Sequence, residues 1–462
     1  MKRRMVIWVI CACFTIGLSA QAKLWTLDEC IQYAIEHNVG IRQMELQKDN
    51  AEIDLNTAKM SRLPNLAASI GQNWNFGYGA SGQDNVNRTE NSASTSFSIS
   101  SSTPLFTGFR IPNEIAKNKL DLKAAVENLE KAKEDIALNV TSLFLQALFN
   151  KELLKVNDEQ LKLTQTQVEK TKFLVQSGKS PQSQLYDIEA QAAKDEVSLI
   201  QAQNNVALAL LDLSQSLELE GDTPFDIAIP ESGIDATDYR LQPVSLVYAN
   251  AVKSKPAVKA QKYRIESAEK TLSIAQSGYW PTLNLGMGYR SSYYYLYGQQ
   301  NVSFNEQFKK RGSEYIELGL SIPIFNRFSV RNQVRSAKIN ISNQQWELEN
   351  VKKTLYKEIQ TAYLNATAAQ QKYLASGKAV KAAGESFQYA QERYEVGKSS
   401  VFEFNEAKNR LVQAQSEQIQ AKYDYVFRVK ILEFYNGEEA VSKVEAPRHS
   451  RKSGNLLPIV NN

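Results

Sequence analysis

The chain repeats itself. Displacing the sequence by 219 residues lays Pro104-Leu105-Phe106 on Pro323-Ile324-Phe325, Leu145 on Leu364, Ala147 on Ala366, Gly178-Lys179-Ser180 on Gly397-Lys398-Ser399 and Leu213 on Leu432, with no gap from first to last. Upstream the displacement is 217, and Ala51, Leu55, Ala58, Pro64 and Leu66 meet Ala268, Leu272, Ala275, Pro281 and Leu283. The difference falls between the prolines of each half, where a loop can change length. A unit of roughly 200 residues is much longer than a solenoid repeat, so the chain reads as two copies of one large substructure. The expected division is residues 23–218 for the first repeat, 219–244 for a linker and 245–437 for the second, with a flexible tail over 438–462. Three prolines and two glycines between Gly221 and Pro243 mark the linker, which has room for a short strand near Phe225–Ile229.

Most of each copy has helical periodicity. Ile115, Leu122, Leu129, Ile136 and Leu143 recur every seven residues, and a second seam runs through Val140, Ala147, Leu154, Leu161, Val168 and Val175. The other copy repeats both seams, through Val334, Ile341, Leu348, Leu355 and Ala362, then Ile359, Ala366, Tyr373, Val380, Phe387 and Tyr394. A sustained heptad predicts coiled-coil packing. Helices over 112–176 and 329–396 would each span roughly 100 Å. Segments 27–63, 181–217, 246–280 and 400–436 are about half as long, so two stacked end to end match one long helix.

Between the prolines the period changes to two. Ala68, Ile70, Gln72, Trp74 and Phe76 alternate with Ser69, Gly71, Asn73 and Asn75, and Phe97, Leu285 and Ile316 lie in similar runs. Strands of about 10 residues, apolar on one face, suit a transmembrane barrel, although alternation also fits a half-buried soluble sheet. Trp74, Phe76, Tyr293, Tyr294 and Tyr295 are the candidates for an aromatic girdle in contact with outer-membrane lipid. Four strands cannot close a barrel, and open edges are not tolerated in lipid. The expectation is a mixed α/β membrane protein that assembles as a homotrimer, with 12 strands from three chains.

Export is written into the first 22 residues. Lys2-Arg3-Arg4, an apolar run from Met5 to Leu18 and Ala20-Gln21-Ala22 form a signal peptide with a small-x-small cleavage site. Ile10-Cys11-Ala12-Cys13 is a loose lipobox, ranked second because lipidation at Cys13 would cut the apolar run short. With 54 Lys and Arg against 50 Asp and Glu the net charge is +4, and removing the three leader bases leaves +1, which gives no reason to expect a nucleic-acid partner. Only Cys30 remains beyond the leader, so no intrachain disulfide is available. Two histidines, His37 and His449, are too few for a histidine-rich metal site or a likely His-based centre. Gly77-Tyr78-Gly79-Ala80-Ser81-Gly82 spells a dinucleotide fingerprint but lacks the following helix, and reads as an extracellular loop. No catalytic set, cofactor site or metal site is expected.

The tight turns carry the remaining chemistry. Gly178 and Gly397 fit left-handed helix caps. Ser180 with Pro181 starts one return helix, and Ser400 with Glu403 reads as a capping box for the other. Capping does not explain Glu406, three residues on.

The duplicated order of these pieces resembles the TolC-like outer-membrane efflux channels. The likeness runs from Leu27-Asp28-Glu29 to Tyr435-Asn436-Gly437 and includes Leu63-Pro64, Trp280-Pro281, Gln176-Ser177-Gly178 and Arg393-Tyr394-Glu395-Val396-Gly397. It implies a trimeric exit duct whose helical tunnel crosses the periplasm and docks on an adaptor and an inner-membrane transporter. By the same resemblance, acids six and nine residues after the second turn glycine line the tunnel entrance. Here these are Glu403 and Glu406, with Gln184 and Asp187 in the first copy. Tyr394 matches a tyrosine that helps hold the entrance shut, and Ser399 stands where the family has an arginine. Gly178, Lys179, Ser180, Gly397, Lys398 and Ser399 become the adaptor-docking tips. The rival reading is a non-conducting coiled-coil protein of the cell envelope.

Overall fold

Residues 24–80, 85–220, 225–229 and 241–437 are described by the structure, a computed structural model. The leader, Cys13 and the tail from 438 lie outside the described residues. The first half runs β1 (Leu24–Trp25), α1 (Leu27–His37), α2 (Val39–Met60), β2 (Ala67–Ala80), β3 (Asn87–Thr107), α3 (Arg110–Gln176) and α4 (Gln182–Ser216). A short β4 (Asp226–Ile227) leads to α5 (Val244–Ser254), α6 (Pro256–Ser277), β5 (Thr282–Leu296), α7 (Phe304–Lys310), β6 (Ser313–Ser321), α8 (Ser329–Glu395) and α9 (Val401–Asn436). Helices α3 and α8 have 67 residues each, and α2 and α6 have 22 each.

The half-length helices 27–63 and 246–280 are not continuous, which corrects the sequence reading. Asn38 is extended (φ −61°, ψ 128°) and caps α2, its side chain accepting from the N–H groups of Gly40 and Ile41. Lys255 has nearly the same conformation (φ −67°, ψ 129°) because Pro256 disfavours a helical residue before it. The break recurs at the same place in both copies, once by a cap and once by a proline.

Along α3 and α8 the residues of the predicted seams are buried or half-buried, with Val140, Ala147, Ile359 and Ala366 wholly enclosed. Helices α2 and α6 lie against one part of α3 and α4 against the rest, while α6 and α9 flank α8. The largest core gathers midway along α3, where Phe144 and Leu148 meet Ile31 of α1, Leu213 of α4, Ile227 of β4 and Val429 of α9. Burying each such side chain contributes about 1.5–3 kcal/mol. The parallel β1–β4 pair closes this belt, with Lys151 held by Asp226 and by the Ile227 carbonyl at 3.2 Å. Cys30 is buried there and forms no disulfide.

The sheet is antiparallel in the order β2-β3-β5-β6, with β2 and β6 at its edges. Its register puts Ile70, Trp74, Phe76, Phe97, Ile99, Met287, Tyr289, Tyr293, Tyr295, Ile316 and Leu318 on one face. Ser69, Asn73, Ser94, Ser96, Ser98, Arg290 and Glu317 share the other. Two expectations need correction. Tyr294 falls on the polar face, since adjacent strand residues point to opposite sides, and only its neighbours can join the girdle. Residues 77–80 of the dinucleotide-like motif belong to β2, not to a loop. Both sheet-to-helix junctions use successive left-handed residues, Gly108-Phe109 (φ 60° and 67°) and Arg327-Phe328 (φ 53° and 62°). Among the described residues no helix is long and apolar enough to cross a membrane.

Candidate functional site

Both long helices end in the same turn. Gly178 and Gly397 have φ of 69° and 71°. Their N–H groups donate to the carbonyls of Val175 and Tyr394 at 3.0 Å, and the N–H groups of Lys179 and Lys398 reach back to Leu174 and Arg393 at 2.8 Å. This two-bond Schellman closure requires a left-handed residue at the glycine. Lys179-Ser180 and Lys398-Ser399 then lead into α4 and α9. The starts of those helices pack together through Leu185, Ile188 and Val401, beside Val175 and Tyr394. All the predicted tip and entrance residues therefore gather at one end of the helix bundle.

Within that end the duplication extends to single contacts. Ser180 Oγ donates to Gln184 Oε1 and Ser399 Oγ donates to Glu403 Oε2, each at 2.5 Å. The capping box at Ser400 is only half formed. Ser400 Oγ accepts from the Glu403 N–H at 3.2 Å, but the Glu403 carboxylate turns to Ser399 and lies 3.8 Å from Arg393. Pro181, without a side-chain bond, is the N-cap of α4. Glu406 pairs with Arg410 one turn on, and Asp187 is exposed. The Glu403 and Glu406 side chains remain about half exposed (55% and 48%).

Three polar links tie the α3–α4 hairpin to the α8–α9 hairpin near the tips. The Tyr394 hydroxyl lies 3.2 Å from Thr171 Oγ1, while its ring stacks on Phe404 at 5.1 Å. Lys170 bridges to Glu395 at 3.1 Å, and with Gln391 holds that carboxyl below the usual carboxylate range. Lys408 makes the third link, which sequence reasoning missed. Its ammonium, 1% exposed, donates to Thr164 Oγ1 and Asp195 Oδ2, both at 2.8 Å. Burial pushes Lys408 below the ordinary lysine value, against the opposing pull of Asp195. A signal existed: Val401, Phe404 and Lys408 follow seam spacing, so a lysine there sits where a coiled coil places apolar residues. The corresponding positions of the other copy hold Glu189, Ala383 and Ala414, so the duplicate lacks this pair.

Long hairpins joined to a four-stranded sheet are the fold of solved outer-membrane channels. CusC, from a crystal study of transmembrane channel formation, superposes with a TM-score of 0.73 at 16% identity, covering 89% of this chain and 91% of that one. VceC of Vibrio cholerae superposes with a TM-score of 0.71 at 15% identity, covering 89% and 96%. In sequence, the outer membrane protein TolC of Escherichia coli is 22% identical over 417 residues, 89% of this chain and 82% of its own. The sequence pattern of the outer membrane efflux protein family matches residues 30–218 and again 247–438. The chain belongs to that family of channel proteins. It is a protein of the Gram-negative outer membrane that extends into the periplasm.

Proposed function

We propose that three copies of this chain form an exit duct through which substrates pass passively outward. Three sheets of four strands give a barrel of 12, apolar face to lipid and polar face to the lumen. The helices continue the lumen through the periplasm. The single observation that carries this reading is the sheet: Ile70, Trp74, Phe76, Phe97, Ile99, Met287, Ile316 and Leu318 all fall on one face, and its edge strands have no partner among the described residues. A non-conducting scaffold has no use for such a surface. The glycine turns are the tips that dock a periplasmic adaptor beneath an inner-membrane transporter. Glu403, Glu406 and Asp187, with Gln184, line the entrance, and Tyr394 helps hold it closed through Thr171. Several relatives are export proteins by name, among them the protease secretion protein PrtF of Dickeya chrysanthemi, 20% identical. Conductance of purified protein in planar bilayers, with native mass measurement, tests the proposal. Trimers that pass ions are expected; a stable monomer, or trimers that never conduct even when the hairpin links are cut, would leave only the scaffold reading.

A further inference from the structure

Along most of its length the polar face of the sheet carries little charge. Serines and asparagines supply much of it, and Glu317, opposite Gly286, is the one acid among its described strand side chains. Four residues farther from the helices on β5 stands Arg290, in register with Ser98 and Ser313. Its surroundings hold it there. A Cβ at Gly288 would lie 2.8 Å from Tyr315 Oη and 2.9 Å from Cε1, so the Tyr315 ring lies across the strand in the space that glycine leaves on the polar side. The Arg290 guanidinium sits over that ring, 5.8 Å from its centre. Strand β6 begins at Ser313, and farther out the Gln307 amide takes its place, accepting from the Tyr294 N–H at 3.0 Å and donating to the Tyr294 carbonyl at 2.9 Å. That ties the segment before β6 to the β5 edge. The Arg311 guanidinium lies over the Tyr294 ring, 5.9 Å from its centre, and the register puts Tyr294 on the polar face opposite Ser94. Both arginines are exposed, and neither has an acidic partner among the described residues.

The two platforms, centred on Arg290 and Tyr294 four residues apart, occupy levels about 13 Å apart along the strand. Resting on the duct reading, in which this face lines the lumen, we propose that Arg290 and Arg311 make the outer mouth an electropositive filter, a site where soluble multivalent oxyanions bind and block from outside. Three copies place six guanidinium groups outward of three Glu317 carboxylates. A planar cation resting on an aromatic ring is held in place while its N–H edge stays open to an oxyanion, which it can grip with two bonds. The ligand is soluble and not a lipid, because the strand residues that meet lipid in the duct reading point to the opposite side. The sign is opposite to that of the acidic entrance at the turns. Its reach depends on salt, since charges are felt over about 30 Å at 0.01 M and only about 3 Å at 1 M.

Purified trimers in planar bilayers, added from one side so that they insert in one orientation, test this with tripolyphosphate as the probe. At 0.01 M salt, tripolyphosphate on the outer side is expected to lower wild-type conductance, and the same concentration on the periplasmic side to leave it unchanged. R290Q/R311Q should need about tenfold more tripolyphosphate for the same block. The same variant should move the reversal potential toward stronger cation preference, the direction opposite to E403Q/E406Q. R290K/R311K keeps the charges and should keep the wild-type reversal potential while weakening the block, because lysine lacks the planar fork. Equal block in wild type and R290Q/R311Q, block of equal strength from either side, or an unchanged reversal potential in R290Q/R311Q would each overturn the filter. So would a lower melting temperature of R290Q/R311Q with conduction unaltered, the result a purely structural role predicts. Wild-type protein that forms no conducting trimer would instead overturn the duct reading, and the filter with it.

Discussion

At the scale of single residues, the turn glycines bear most directly on function. A Cβ at Gly178 or Gly397 meets no atom within 4 Å, so space does not forbid a side chain there. Conformation does, since a left-handed residue costs about 1–2 kcal/mol without glycine, and β-branching makes it worse. Gly178→Val or Gly397→Val should therefore distort the tip while leaving the trimer intact. Efflux in a deletion strain is expected to fall for both, and Gly178→Asn or Gly397→Asn, which tolerate the turn, should restore much of it. Unchanged transport with valine at both tips would remove them from the docking surface. Gly178 and Gly397 were legible because turn chemistry is local and the sequence repeats it. Tyr294 was misread because three consecutive tyrosines look like one patch until strand alternation separates them. The Glu403 capping bond was half legible: spacing predicts the backbone contact, but Ser399 competes for the carboxylate.

At the scale of elements, the long helices were legible almost to their ends, because heptad spacing sustained over many turns leaves few alternatives. The β5–β6 connection was not, since nothing in the local pattern says that Gln307 will replace a strand. The lock between hairpins was hidden for a related reason: Lys408, Thr164 and Asp195 are far apart in sequence and meet only through tertiary packing. Removing one member of a buried pair costs about 3–5 kcal/mol, whereas replacing both with apolar groups can be neutral. Lys408→Met should thus lower the melting temperature, and Lys408→Met with Asp195→Leu should recover most of the loss. Circular dichroism melts of the four proteins in the cycle give the coupling; additive losses would mean the pair is not a unit. The pH dependence has a definite sign. Because burial lowers Lys408 below the ordinary lysine value of 10.5, the unfolded chain binds more protons between the folded value and 10.5, so this group's contribution to stability rises with pH across that window. Lys408→Met should flatten that slope.

At the scale of the whole molecule, three-fold symmetry turns single side chains into rings. If Glu403 and Glu406 face the lumen, two carboxylates per chain become six, and Asp187 adds three more. The structure supplies a counterweight in Arg410, which pairs with Glu406 and brings three guanidinium groups to the same level. With Arg393 beside Glu403 adding three more, nine acids still outnumber six bases, and like charges in a narrow passage concentrate cations and repel anions. The open channel should therefore prefer cations, and divalent ions that bridge carboxylates across the axis should block it from the periplasmic side. Glu403→Gln with Glu406→Gln should remove most of the preference and the block. Arg410→Gln should strengthen both, because it frees the Glu406 charge. An ordinary solvated helix start predicts something else: loss of the Ser399 and Arg410 contacts would loosen the first turns of α9 without altering ion preference. Reversal potentials under a salt gradient, with divalent titrations on the same trimers, separate the two. If selectivity and block are the same in wild type, the double glutamine variant and Arg410→Gln, these acids do not line the passage.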